Sequence, residues 1–179
     1  YILMDIEFPE GQNQVGYSIG QSLTYSGVGI VIKTTDGGST WTQLTPNGIP
    51  GLEAMSFVDM QTGYAAGWDG YVIKTTDGGG TWDTLTVASG MWEINDIEFY
   101  DENHGIIIEG PYVYITQDGG ETWEAASQLD KGGFNVEYLD QNTLVVGANE
   151  NYIYKSIDGG YTWQVKNTGI IGELLLGVD

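Results

Sequence analysis

The sequence predicts an all-β fold, a β-propeller of four-stranded antiparallel blades. One observation is a repeated eight-residue segment: TTDGGSTW (34–41), TTDGGGTW (75–82), TQDGGETW (116–123) and SIDGGYTW (156–163). Its aspartates Asp36, Asp77, Asp118 and Asp158 stand 41, 41 and 40 residues apart, and a fixed period near ~40 marks a repeat architecture. The second observation is the absence of any stretch with apolar residues at helical spacing over three turns. Four short β-rich runs fit inside each period, which matches a propeller blade.

Each strand has its own signal. Before every DGG segment lies a run of β-branched and aromatic residues, such as Ile30–Lys33, Tyr71–Lys74, Tyr112–Ile115 and Tyr152–Lys155, which reads as a third strand. Upstream, a first strand ends on an aromatic residue followed two positions on by an acid: Phe8/Glu10, Phe57/Asp59, Phe99/Asp101 and Tyr138/Asp140. A small-residue strand such as 63–67 lies between them, and a fourth follows each segment, as in 82–86. The predicted blades are 1–46, 47–87, 88–128 and 129–168. Residues 169–179 read as the start of a next blade, so the chain is expected to be part of a ring of six to eight blades; a closed four-blade ring with an extra strand is the alternative.

Composition narrows function. There are 179 residues, with 25 acidic and 5 basic side chains, a net charge of −20 and a single histidine. All five cations are lysines. So negative a surface repels nucleic-acid backbones and disfavours anionic membranes. Cysteine is absent, excluding disulfides, thiolate metal sites and a thiol nucleophile. No apolar run approaches the ~18 residues that span a bilayer, so no membrane insertion is expected, and the first residues do not read as a signal peptide.

The repeated segment has a mechanical reading at each position. The aspartate accepts hydrogen bonds inside the turn, the glycines (Gly38, Gly79, Gly120 and Gly160, each with the one before) tolerate positive φ, and the hydroxyls tie the flanking strands. Thr40, Thr81, Thr122 and Thr162 supply hydroxyls, and Trp41, Trp82, Trp123 and Trp163 are expected as anchors. A fully buried tryptophan would contribute at most roughly 4–6 kcal/mol per blade. Because the pattern recurs in every blade, it reads as a staple rather than a catalytic or calcium site; no catalytic residue, cofactor or metal ligand is assigned.

These segments resemble the Asp-box, or bacterial neuraminidase repeat, of sialidases, sortilin-type receptors and xyloglucanases. The longer pattern of blade two, Phe57 through 63–67 to Gly70–Gly79, is more similar to the photosystem II stability/assembly-factor-like propellers. The resemblance implies fold more than activity. Sialidases grip substrate with an arginine cluster and the assembly factors carry an arginine patch; this chain has no arginine. A xyloglucanase-like enzyme would need a pair of acids in a cleft, and none is singled out.

Other candidates follow from where the repeat breaks. His104 and the lysines Lys33, Lys74 and Lys155 occupy repeat positions, the lysines beside acidic neighbours; Lys131 and Lys166 are unassigned. A calcium ion at Asp101–Glu102 is a minor possibility, without the spacing of a dedicated calcium loop. Loops joining second to third strands, and blade to blade, should open on one face, with the DGG segments on the other. Blade one carries six extra residues there, around 21–27. The candidate binding face comprises Tyr25, Trp68, Asp69, Trp92, Glu93, Glu109, Tyr112, Asn149 and Glu150. Trp68 and Trp92 either pack between blades or stand exposed for a sugar ring or a protein loop. The expected function is a non-catalytic, extracellular or cell-envelope module for protein interaction, scaffolding or self-assembly. A glycan-binding or glycoside hydrolase-like propeller and an assembly factor for a membrane complex are the alternatives.

Overall fold

The computed structural model describes residues 1–9, 11, 13–23, 27–44, 48–87 and 93–169. Glu10, Tyr25, Trp92 and the proposed next blade from 170 onward lie outside the described residues. Sixteen strands are found among the described residues, and they form four antiparallel sheets, each in sequence order. Blade one is β1 (Ile2–Glu7), β2 (Gly16–Gln21), β3 (Gly29–Thr34) and β4 (Thr42–Gln43); blade two is β5 (Leu52–Phe57), β6 (Gly63–Gly67), β7 (Val72–Thr75) and β8 (Asp83–Leu85). Blade three is β9 (Asp96–Phe99), β10 (Gly105–Glu109), β11 (Tyr112–Thr116) and β12 (Glu124–Gln128). Blade four is β13 (Gly133–Tyr138), β14 (Leu144–Ala148), β15 (Tyr152–Ser156) and β16 (Gln164–Asn167). The only helical element among the described residues is a 3₁₀ turn at Asn149–Asn151. This is the blade architecture of a β-propeller.

The chain divides into two compact units, Tyr1–Ile94 with blades one and two, and Asn95–Asp179 with blades three and four. Period-two alternation explains how each unit makes its core, since successive side chains leave a strand on opposite faces. In the first unit Tyr17, Ile19 and Val31 of blade one meet Leu52, Met55, Phe57 and Ile73 of blade two. In the second, Ile106, Ile108 and Val113 of blade three meet Val136, Leu144 and Val146 of blade four. Neither sheet of a pair could bury these residues alone.

Two local devices recur. A one-residue register shift bends β1 between Leu3 and Asp5, β5 between Leu52 and Ala54, and β13 between Gly133 and Asn135, as bulges do. The glycines that open the second strands of the first three blades are packed under the aromatic ring ending the first strand. A Cβ at Gly105 would come within 2.6 Å of the Phe99 ring, and one at Gly16 within 2.7 Å of Phe8. Only glycine permits that approach.

Candidate functional site

The four DGG corners share one geometry. In blade two, Thr75 Oγ1 donates to Asp77 Oδ1 (2.9 Å) and accepts from the Gly79 N–H (2.8 Å). The other side of the turn closes when the Thr81 N–H donates to Asp77 Oδ1 and Thr81 Oγ1 to Oδ2, both at 2.8 Å. The corresponding Thr40, Thr122 and Thr162 hydroxyls reach Asp36, Asp118 and Asp158 at 2.6 Å each. Both glycines of every corner have positive φ, as at Gly78 (68°) and Gly79 (84°). Each corner is also docked on the first turn of its own blade: Gly37, Gly78, Gly119 and Gly159 donate to the carbonyls of Gln14, Gln61, Asn103 and Asn142. These carboxylates therefore face their own backbone.

Their acidity follows. The Thr40 hydroxyl and N–H hold the Asp36 carboxyl at about 2, and hydrogen bonds from the matching threonines lower Asp77, Asp118 and Asp158 as well. Donors aimed at a carboxylate stabilise its charged form. Such groups are poor general acids and have little lone-pair capacity to spare for a ligand.

The tryptophans depart from the sequence expectation. Trp41, Trp82, Trp123 and Trp163 are half-buried rather than enclosed, because each begins the outermost strand of its blade, so their contribution falls short of the full-burial bound. Trp82 and Trp123 set ring edges against Phe57 and Phe99, at 6.5 and 5.9 Å between centroids. The Trp41 indole donates to the Gly38 carbonyl and that of Trp163 to Ser127 Oγ. The lysines of the repeat are placed differently. Hydrogen bonds led by the Asn142 N–H, with the Lys155 charge added, hold the Asp140 carboxyl low, so Lys155 does lie beside an acid. Lys33 Nζ instead donates to the Gly78 carbonyl of the next blade's corner at 2.7 Å, lying over the Tyr17 ring. The Tyr17 hydroxyl donates to the same carbonyl at 2.9 Å. In the second unit Ser127 Oγ donates to the Gly160 carbonyl.

On the same side as the corners, His104 occupies the place of Thr62 and Thr143 in the first turns. Asp59, Asp101 and Asp140 each accept two backbone N–H bonds there. Asp101 additionally meets His104 Nδ1 at 2.8 Å. Burial alone would raise the Asp101 carboxyl, but the N–H groups of Asn103 and His104 and the ring together hold it low. A cleft of about 160 Å³ opens beside His104, with Tyr138, Gln141 and Tyr161 on its walls. Among the described residues no three His, Asp or Glu side chains gather as metal ligands would.

The loop side differs between the units. In the first, the Trp68 indole N–H donates to Glu53 Oε1 at 2.6 Å, and Gln21 Nε2 donates to the same oxygen at 2.9 Å. Trp68 is bridged through its backbone to Glu93, its ring lies against Gly27, and its outer face is exposed. The ring therefore rests against blade one across the blade boundary while remaining partly exposed. Burial, reinforced by the Glu93 charge, raises the Glu53 carboxyl despite its two donors. Asp69 takes a positive φ of 58° to turn the chain after Trp68. In the second unit Glu109 is buried and receives a long bond from the Tyr114 hydroxyl, at 3.4 Å, while Tyr112 is exposed. Lys131, unassigned from sequence, pairs with Glu150 at 2.7 Å. Asn149 donates from its backbone to the Gly132 carbonyl.

Of the predicted face, then, Trp68, Asp69 and Glu93 come together in one unit and Glu109, Tyr112, Asn149 and Glu150 lie in the other. Sequence reasoning missed Glu53, the residue that holds Trp68. A signal was present: register places Glu53 where the other first strands carry Met4, Asn95 and Phe134.

A sequence profile of the family described as photosynthesis system II assembly factor YCF48 matches residues 50–175. The chain belongs to this family of propellers. Comparison with curated proteins by sequence found no match. Among solved structures, one described as YCF48 bound to D1 peptide superposes with a TM-score of 0.75 at 19% identity, covering 94% of this chain and 54% of the other. YCF48 from Cyanidioschyzon merolae gives 0.73 at 18% identity, with 95% and 57% covered. The GH74 enzyme of Niastella koreensis gives 0.71 at 17% identity, with 91% and 30% covered. This chain spans about half the length of the two YCF48 structures. At these identities the neighbours share the fold.

Proposed function

We propose that this chain is the non-catalytic, peptide-binding part of a factor that assists assembly of a membrane-protein complex, and that it binds a cationic segment of its client. The observation that carries the reading is the family match over residues 50–175, together with a structural neighbour described as bound to a peptide. The charge sets the polarity of the partner. With a net charge of −20 and no arginine, this surface attracts lysine- and arginine-bearing segments and repels acidic ones. Trp68 is the natural anchor, because an exposed indole held between Glu53 and Glu93 can take a cation against its face. An extracellular or cell-envelope location belongs to the same proposal and rests on the acidic composition.

Fluorescence anisotropy with lysine-rich, neutral and glutamate-rich peptides tests this reading. The lysine-rich peptide should bind, weaken as salt rises, and lose about tenfold or more in affinity with Trp68→Ala. Equal affinity for all three peptides, or binding confined to a glycan array, would overturn it.

A further inference from the structure

The two units differ at one register position. In blade one Tyr17 of β2 pairs with Lys33 of β3, and in blade three Ile106 of β10 pairs with Ile115 of β11 at the same place in the hairpin. Lys33 Nζ and the Tyr17 hydroxyl both donate to the Gly78 carbonyl in the corner of blade two, at 2.7 and 2.9 Å. Gly159 is the matching residue in the corner of blade four. It donates to the Asn142 carbonyl as Gly78 donates to that of Gln61, and the two have φ of 75° and 68°. Isoleucine has no group that can donate, so neither Ile106 nor Ile115 can serve the Gly159 carbonyl. Ser127 Oγ donates to the next carbonyl, that of Gly160.

The shorter side chains leave room. A Cβ at Gly78 would come within 3.3 Å of the Tyr17 hydroxyl and 3.4 Å of Lys33 Nζ, whereas one at Gly159 would meet no described residue within 4 Å beyond its chain neighbours. Here, between blades three and four, the cleft of about 160 Å³ opens, bordered by Gly159, Ile115, His104, Tyr138 and Tyr161. Its walls suit a cation. The Tyr161 hydroxyl accepts from the Gln117 amide at 3.2 Å and donates to Glu124 at 3.4 Å, which sets a carboxylate behind the ring. Burial, with the charges of Glu98 and Asp101 added, pushes the Tyr138 hydroxyl up. A negative field that resists a phenolate attracts a cation. His104 Nδ1 is held on Asp101 at 2.8 Å, so the neutral ring presents its lone pair at Nε2, which the Gln141 amide meets at 3.4 Å.

We propose that this cleft binds a primary ammonium group on an alkyl stem, the lysine side chain of a partner segment, which takes against the Gly159 carbonyl the place that Lys33 takes against Gly78. The first unit supplies the template, an ammonium lying over the Tyr17 ring at 5.1 Å and donating to a corner carbonyl. In the cleft Tyr138 and Tyr161 supply the rings, whose faces attract a cation. One charge-assisted hydrogen bond with one such ring contact supports a dissociation constant of about 1 mM. This site is separate from the one at Trp68 and does not rest on it.

Titration of the full chain, followed by amide nuclear magnetic resonance, tests it with Nα-acetyl-lysine amide as the probe. Saturable shifts are expected at Gly159, Thr116 and Tyr161, unchanged by Trp68→Ala. The uncharged isostere Nα-acetyl-norleucine amide should give none. n-Butylammonium, the bare side chain, separates the sources: weaker binding than the lysine amide supports a peptide, and binding of equal strength would overturn the assignment to one. Ile115→Lys restores the lysine of the repeat, fills the cleft from within, and should weaken the probe at least tenfold, while Ile115→Val should bind as the wild type does. Tyr161→Leu, at a half-exposed ring, should keep the strand signal by circular dichroism and lose about threefold or more, a check that holds even if Ile115→Lys fails to fold. Equal shifts from the norleucine amide, shifts confined to the surroundings of Trp68, or unaltered affinity in a folded Ile115→Lys or in Tyr161→Leu would overturn the proposal.

Discussion

A single aspartate in each corner gathers a hydroxyl from before the turn and a hydroxyl and N–H from after it, and this local economy made the corners legible. All of its partners lie within four residues. What could not be read were the groups whose partners are distant. Lys33 and Tyr17 meet the Gly78 carbonyl 45 and 61 residues on, and spacing in the chain carries no trace of that. Glu53 and Trp68 are 15 residues apart, within one blade, yet only register reveals that their strands bring them together. The corner predicts its own response to acid. Because its folded carboxyl lies below the ordinary value of 3.8, near 2 for Asp36, the stability it contributes is complete above ~4. It is lost as pH falls through the folded value. Asp77→Ala should lower the thermal midpoint by several degrees at pH 7 and have little effect at pH 2, which unfolding followed by circular dichroism at the two pH values would check.

Strands made the second level of the structure easy to anticipate and its energetics harder. Alternation and β-branching place sixteen strands where they occur, but not which face of each meets which neighbour. The inter-blade cores give a direct test. Ile106 is fully buried between blades three and four, so Ile106→Ala should cost about 2–5 kcal/mol in denaturant unfolding. Glu7 offers another. Burial raises its carboxyl to about 8, against the Phe57 N–H, which favours the charged form. The folded chain therefore holds a proton that the unfolded chain has lost between about pH 4.5 and 8. Stability falls as pH rises through that window, opposite in sign to the corners. Glu7→Gln keeps an acceptor for Phe57 and removes the titration. It should match the wild type near pH 4.5 and exceed it near pH 8, as paired thermal melts would show.

The whole molecule carries a charge of −20 on 179 residues, and that excess acts on every blade. Self-repulsion of like charges weakens a compact state at low ionic strength, so raising salt from ~10 mM to ~150 mM, which shortens the screening length from about 30 to about 8 Å, should raise the melting temperature. A midpoint insensitive to salt would show that the carboxylates are already neutralised locally. The docking of each corner on the first turn of its own blade, through bonds such as Gly119 to Asn103 and Gly159 to Asn142, has an evolutionary consequence. Copying or excising a gene segment of one period cuts none of these bonds, since donor and acceptor travel together. Lineages can therefore gain and shed whole modules without reinventing the hinge that shapes them.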